Sequence, residues 1–202
     1  MSRSTHIPVS FAVEGDTDEA VVRKLATGLS IDVYQVLGKQ GKAWVLKALR
    51  GLNNSARGQP WFVLIDLNGD APCPGAYVAD LLATPSRLMR LRLAVRELEA
   101  WLLADRAGFS RFLGVSERDL PADPESLSDP KGTVIDLARR SSKPKVRSGM
   151  PPRPGSGRKT GELYAALLIE FTQDHWNVAA ASARARSLAR AIGRLDELAK
   201  PC

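Results

Sequence analysis

The stretch VSFAVEGDTDEA (Val9–Ala20) decides the fold class, because an apolar run typical of a buried strand passes there directly into a segment with helical spacing. The run ends on Glu14, and Gly15 allows the backbone to turn sharply. Another acid, Asp18, follows one helical turn later, where the positive end of a helix dipole favours a carboxylate. A strand that ends on such a pair of acids predicts a site for a cation at the edge of a sheet.

Strands and helices alternate outward from this stretch through the first half of the chain. Strands are predicted at Ile7–Val13, Ile31–Leu37, Trp61–Leu67 and Arg87–Val95. Helices are predicted at Thr17–Leu29, within GKQGKAWVLKALRGL, at Tyr77–Ala83 and at Arg96–Asp105. The third strand, WFVLIDL, is a near-continuous apolar run, as expected of a strand buried on both faces. This order predicts an α/β fold with a mostly parallel, twisted sheet and helices on both faces.

The second half of the chain predicts a helical extension. Helical segments are expected at 107–115, 133–140, 160–172 and 182–199. Between them, the residues from Ser141 to Lys159 are rich in Pro, Gly, Ser, Lys and Arg, and we expect little fixed structure there. The predicted domains are an α/β domain at 1–105 and a helical extension at 106–202, with a flexible basic loop at about 139–160.

The composition is that of an ordinary globular chain of 202 residues, 44% hydrophobic and 25% charged. No run approaches the length of a membrane span or of a signal peptide core, which predicts a cytoplasmic protein. The cysteines, Cys73 and Cys202, have no CxxC spacing, and the chain has only two histidines as further zinc ligands. A structural zinc site is therefore disfavoured. A single disulfide stays open, although a reducing compartment disfavours it.

The net charge of +7 comes from one segment of the chain. Eight basic residues and no acid lie between positions 139 and 159, and without those eight charges the remainder carries −1. They are Arg139, Arg140, Lys143, Lys145, Arg147, Arg153, Arg158 and Lys159. Such a segment indicates a polyanion such as nucleic acid, and a solvated loop that aids solubility is the alternative. Because aromatic residues make up only 6% of the chain, base stacking is disfavoured as the main binding mode.

Acids follow several of the predicted strands. Glu14 closes the first, Asp66 closes the third with Asp70 four residues later, and Glu97 and Glu99 open the helix after the fourth. Ligands of open α/β sheets bind at the carboxyl ends of the strands, and clustered carboxylates suit Mg²⁺ or Mn²⁺. Each acid taken alone is more often a turn, loop or surface residue; their joint occurrence favours a metal site.

The segment GSGRKTG (Gly155–Gly161) superficially resembles a phosphate-binding P-loop. Arg153 and Arg158 stand where the Walker motif requires glycines, and no strand is predicted before it. We therefore reject it as a nucleotide-binding motif, while contact with phosphate stays open.

Four motifs resemble those of a known family. VEGDTDE (Val13–Glu19), the later DLNGD (Asp66–Asp70), RELEAWLLAD (Arg96–Asp105) and the Pro130–Lys131 pair resemble the Toprim (topoisomerase–primase) domain. The closer match is to small stand-alone bacterial Toprim-like proteins, which resemble relatives of the overcoming-lysogenization-defect nucleases and are often described only as domains of unknown function. The resemblance spans nearly the whole chain and is clearest from Val13 to Asp105.

The resemblance implies roles for the acids of the first half. Glu14 would be a metal ligand or a general acid/base, and Asp18 the second acid of that motif, one methylene shorter than the usual Glu. Asp66 and Asp70 would be metal ligands, with Asn68 where the family more often has Asp.

It also implies roles for later residues. Glu97 and Glu99 would complete a second metal position, with Glu99 kept ionised by the helix dipole, and Lys131 would be a catalytic residue that stabilises charge on a phosphoryl oxygen. The implied cofactor is Mg²⁺ or Mn²⁺, with Ca²⁺ as a non-productive substitute, in a two-metal scheme.

The function expected from this resemblance is a metal-dependent nuclease that hydrolyses DNA or RNA, in phage defence beside an ATPase partner. The ATPase comes from the resemblance alone. Two alternatives stay open: a non-catalytic nucleic-acid-binding or regulatory subunit, and another Toprim-type phosphotransfer on nucleotides.

Overall fold

A parallel sheet forms the centre of the first half of the chain. The computed structural model describes residues 6–29 and 31–200, and in them four strands lie in the order β2-β1-β3-β4 with every neighbouring pair parallel. The strands are β1 (Ile7–Val13), β2 (Ile31–Gly38), β3 (Trp61–Asp66) and β4 (Met89–Ala94). The predicted α/β fold with a parallel sheet is confirmed.

Helices connect these strands and continue after them. Those between the strands are α1 (Asp16–Thr27), α2 (Lys42–Ser55) and α3 (Pro74–Leu81). Those after β4 are α4 (Leu98–Ala104), α5 (Arg106–Leu113), α6 (Pro130–Arg139), α7 (Pro144–Gly149), α8 (Tyr164–Glu170), α9 (Val178–Ser182) and α10 (Arg186–Leu198). The C-terminal helices are thus confirmed. The third helix begins before the predicted Tyr77 because Pro74 suits the first turn of a helix, where its missing N–H costs nothing.

The sheet is buried on both faces. Alternate residues of β3 (Trp61, Val63 and Ile65) belong to a core cluster with side chains of α2 and α3. The intervening Phe62 points to the opposite face, where its ring lies 5.9 Å from that of Phe11 on β1. Burial on both sides explains why the third strand reads as a continuous apolar run.

The strand order creates a crevice between β1 and β3. From β1 the chain crosses over to β2 on one side and then returns past β1 to β3 on the other. Because such crossovers are right-handed, α1 and α2 cover opposite faces, and the adjacent ends of β1 and β3 form a topological switch point, where open α/β sheets bind ligands. The paired residues of the two strands stop at Ala12 and Val63, three positions before β3 ends.

The described chain divides into two compact units, and the division differs from the predicted boundary at residue 105. One unit contains the residues through Val95 and those from Ser187 onward; the other is Arg96–Arg186. The first unit is discontinuous because α10 joins β4, with Ser187 Oγ accepting a 3.3 Å hydrogen bond from Val95 N. The second begins before α4 because that helix, buried along its whole length, packs against α6 and α9 of its own unit.

The described residues contain no helix with the length and apolar character that a membrane span requires. Cys73 is an exposed free thiol, and Cys202 lies outside the described residues, so the disulfide that the sequence left open is not tested.

We predict that Gly38→Ala lowers the free energy of unfolding by at least about 2 kcal/mol. Gly38 has φ +99°, and a Cβ atom there would collide with the Val13 carbonyl oxygen. The matched control is Gly51→Ala in α2, where a methyl group meets open space and should raise stability by about 0.5–1 kcal/mol. Urea denaturation followed by circular dichroism checks both; equal effects at the two positions would contradict the role of Gly38.

Candidate functional site

The crevice between β1 and β3 is bridged by a side chain. Glu14, directly after β1, accepts a 2.8 Å hydrogen bond at Oε1 from the backbone N–H of Asp66, the last residue of β3. Since the backbone pairing of these strands has already ended, the carboxylate takes the place of the missing backbone acceptor. Two predicted site residues are thereby brought together at the switch point.

The loop between β2 and α2 holds the end of β1 in place. Lys39 N donates to Val13 O at 3.0 Å, and Gly41 N donates to Glu14 O at 2.9 Å. This close approach requires Gly38, because a side chain there would collide with the Val13 carbonyl. The backbone of Glu14 is therefore fixed from one side and its carboxylate from the other.

Lys42, which sequence reasoning missed, supplies a positive charge at this edge. Its Nζ donates to the carbonyl oxygen of Asp66 and lies 2.5 Å from Asp70 Oδ2, which also accepts a 3.0 Å hydrogen bond from the Tyr77 hydroxyl. The hydrogen bond from Lys42 holds the pKa of Asp70 below its ordinary value. A lysine in the first turn of a helix is disfavoured by the helix dipole. Its position there was the one sign in the sequence that an acid stabilises Lys42.

The two residues that depart from the family pattern have local structural roles. Asp18 is buried in the first turn of α1, and a Cβ atom on Gly15 would lie 3.3 Å from its Oδ2. Asn68 has φ 54°, a left-handed conformation in which asparagine is enriched among non-glycine residues. The turn between Asp66 and Asp70 therefore has a backbone reason for asparagine at its centre.

The donor set of the first unit suits one mode of Mg²⁺ binding. Within residues 6–29 and 31–200, no three His, Cys, Asp or Glu side chains are grouped so as to hold a metal ion. Mg²⁺ needs fewer, because it is commonly held by one or two carboxylates, with water and substrate phosphate as the other ligands. Glu14 and Asp66, on adjacent strand ends, are the two acids that this mode would use. The ligand roles of Asp18 and Asp70 stay predictions.

The other predicted acids, Glu97 and Glu99, lie in the second unit and meet Lys131 there. Glu97 Oε2 accepts a 3.0 Å hydrogen bond from Lys131 N, in the first turn of α6. Lys131 Nζ lies 3.5 Å from Glu99 Oε1, which also accepts a 3.0 Å hydrogen bond from the Tyr164 hydroxyl. The sequence motifs containing Glu97, Glu99 and Lys131 thus converge, whereas Tyr164 carried no recognisable signal.

Burial controls the ionisation of Glu99. Its side chain is 7% exposed, and this burial raises its pKa above the ordinary value of 4.5, although the positive charge of Lys131 opposes the shift. Burial therefore acts against the helix dipole, which is expected to favour the ionised carboxylate, and the ionisation of Glu99 at neutral pH stays a prediction. Burial likewise raises the pKa of Tyr164, with Glu99 adding to the effect.

The basic segment has more structure than its composition predicted. The expectation of little fixed structure from 141 to 159 is wrong, because α7 lies within it and buries Val146, and Met150 is buried directly after it. Gly161 N donates to Met150 O at 2.8 Å, so backbone pairing closes the loop at its base. Burial of Val146 and Met150 and this backbone pairing together hold the segment in place.

Seven of the eight basic residues have backbone or acidic partners. Lys143 Nζ donates to Phe112 O and Arg147 Nη1 to Ser141 O, at 2.8 and 2.7 Å. Acidic partners within 4.0 Å are Asp136 for Arg139, Asp119 for Arg140, Glu170 for Lys145, and Glu162 for Arg153 and Arg158. Lys159 is exposed. Arg139, Arg147, Arg153 and Arg158 line a cleft of about 630 Å³.

Comparison of the chain with protein-family models, with curated proteins and with solved structures finds no match in any of the three. The Toprim-like family therefore stays a prediction from the four sequence motifs.

We predict that Glu99 makes stability fall as the pH rises. A carboxyl whose pKa is raised in the folded state binds its proton more tightly there than in the unfolded chain. Its contribution to the free energy of unfolding is therefore complete below pH 4.5, the ordinary pKa, and is lost as the pH rises through the pKa of the folded state. Glu99→Gln should remove this component from the pH dependence of the free energy of unfolding. Tyr164→Phe, which deletes a hydrogen bond that lowers the pKa of Glu99, should shift the loss to higher pH. Identical pH profiles for wild type and Glu99→Gln would contradict the assignment.

Proposed function

We propose that the protein is a divalent-metal-dependent nuclease that hydrolyses phosphodiester bonds of DNA or RNA. The observation that carries the proposal is the contact of the Glu14 carboxylate with the Asp66 amide at the topological switch point. The resemblance of VEGDTDE and RELEAWLLAD to Toprim-like motifs supports the same function.

In this proposal the residues of the first unit position the reacting groups. Glu14 and Asp66 would hold Mg²⁺ or Mn²⁺, which would supply charge neutralisation at phosphate and an activated water. The Asp66 amide orients the Glu14 carboxylate, which would act as a general acid/base if it does not itself bind the ion. Lys42, anchored by Asp66 O and Asp70, places a positive charge where a phosphate oxygen arrives.

The test is a nuclease assay on labelled DNA and RNA with Mg²⁺ or Mn²⁺, with and without EDTA. We predict that Glu14→Gln and Asp66→Asn each lower the cleavage rate by roughly 10²–10³-fold, because each removes a ligand from a charge-stabilising site. Asp80→Asn, an exposed acid on α3, is the matched control and should retain full activity. Metal-dependent cleavage that survives both crevice substitutions in folded protein would refute the assignment.

A second candidate, a non-catalytic nucleic-acid-binding or regulatory subunit, is favoured by the lysines. Lys42 lies against Asp70 and Lys131 against Glu99, so ammonium groups already balance carboxylates that a metal would otherwise neutralise. Tight nucleic-acid binding without cleavage at any metal concentration would support this candidate over the nuclease.

The wider setting follows from the family resemblance. We propose a role in phage defence beside an ATPase partner, in the cytoplasm, and the third alternative, phosphotransfer on nucleotides, is tested by adding labelled nucleoside triphosphates to the same assay. Co-purification of a tagged chain with an ATPase from its native host tests the partner.

Binding to nucleic acid through the basic segment is tested with Arg153 and Arg158, because substituting Lys143 or Arg147 would also break backbone contacts. We predict that Arg153→Gln and Arg158→Gln weaken binding equally for all sequences and reduce the slope of log K against log salt by about 0.9 for each phosphate that is no longer neutralised. Arg184→Gln, an exposed arginine outside the segment, is the control. Fluorescence anisotropy over a salt series measures the slope, and an unchanged slope would make the segment a solubility feature.

A further inference from the structure

β4 carries two arginines on one face of the sheet. Its alternate residues Met89, Leu91 and Leu93 belong to the core cluster with α2 and α3, so Arg90 and Arg92 lie on the other face. Arg92 is half-buried, and its Nε atom is buried with no hydrogen-bond partner among the described residues. A buried donor without an acceptor is costly, and an acceptor from outside the chain would remove that cost.

Helix α10 lies along the same strand and is attached to it at two points. Near its N-terminus Ser187 Oγ accepts from Val95 N at 3.3 Å, and near its C-terminus Glu197 Oε2 accepts from Arg90 Nε at 3.1 Å. Ten residues of helix rise about 15 Å, and five residues of strand about 16 Å, so the helix runs antiparallel to the strand between these points. By the same spacing, Arg92 lies opposite helix positions near 193 and 194.

Two more arginines lie on α10 between the attachment points. Ser187, Arg190, Arg194 and Glu197 follow one another at spacings of three, four and three residues, which places them on one face of the helix. Arg190 and Arg194 are exposed, and Arg194 Nη1 lies 2.6 Å from Glu197 Oε1. Burial lowers the pKa of Arg92, and the charges of Arg194 and Arg190 lower it further, which is consistent with this arrangement.

We propose that Arg90, Arg92, Arg190 and Arg194, the β4–α10 arginine cluster, form a binding site for a phosphate group. Guanidinium forks match the oxygens of phosphate, which can accept several hydrogen bonds at once. The Glu197 carboxylate contacts both Arg90 and Arg194, so an incoming phosphate competes with it. This site is separate in its residues from Glu14 and Asp66, and the inference does not depend on the nuclease proposal.

The experiment titrates the full chain with inorganic pyrophosphate, with sodium chloride at matched ionic strength as the reference, and follows thermal stability. The double variant Arg190→Gln/Arg194→Gln should bind roughly tenfold or more weakly, because it removes charge-assisted hydrogen bonds. Arg50→Gln/Arg57→Gln, an equal loss of charge at exposed positions, is the control and should bind as wild type does.

A second pair of variants tests the same site through an expected gain of pyrophosphate affinity. Glu197→Gln should tighten pyrophosphate binding, because it removes the competing carboxylate. Asp196→Asn, at the neighbouring position and paired with Lys200 instead, should not. If pyrophosphate stabilises neither wild type nor Glu197→Gln beyond the chloride reference, or stabilises all variants equally, the proposal is overturned.

The source of the phosphate is resolved by repeating the titration with a short DNA duplex. A decrease of duplex affinity in Arg190→Gln/Arg194→Gln equal to the decrease for pyrophosphate identifies the nucleic-acid backbone as the ligand. Duplex binding that is retained while pyrophosphate binding disappears identifies a small phosphate-bearing molecule.

Discussion

The hydrogen bond from the Asp66 amide to the Glu14 carboxylate is the contact on which the arrangement of the candidate site depends. It lies where β1 and β3 cease to pair, so it closes by a side chain a gap that the backbone leaves open. The β2–α2 loop secures the same point through Lys39 N and Gly41 N. Strand order opens the crevice, and the Glu14 carboxylate bridges it.

Both units balance the charge of their acids in the same way. In the first, Lys42 contacts Asp70, and in the second, Lys131 lies beside Glu97 and Glu99. Each lysine stands in the first turn of a helix, where the dipole disfavours it, and is retained by its acids. Any cation that enters either cluster would compete with an ammonium group that is already in place.

The sequence predicted the parts of this structure that depend on periodicity. Continuous apolar strands such as Trp61–Asp66 and their alternation with helices were enough for the parallel sheet, and the acids at strand ends indicated Glu14 and Asp66. Lys42, Tyr77 and Tyr164 were missed because their importance arises from residues distant in the chain.

Two sequence-based judgements left out the effect of burial. The basic segment was predicted to be structureless because its composition obscured Val146 and Met150, whose burial attaches it. The pKa of Glu99 was judged from its position on a helix, whereas burial within its own unit raises it. A local sequence pattern does not show which side chains become buried or which distant residues they contact.

The discontinuity of the first unit has a consequence for how the protein is made. Residues 96–186 leave the ribosome before α10 does, so the second unit can become compact while the sheet still lacks the helix that covers Arg90 and Arg92. During that interval the half-buried face of β4 is exposed to chaperones or to other nascent chains. The contacts of Ser187 and Glu197 with the β4 region then complete the first unit.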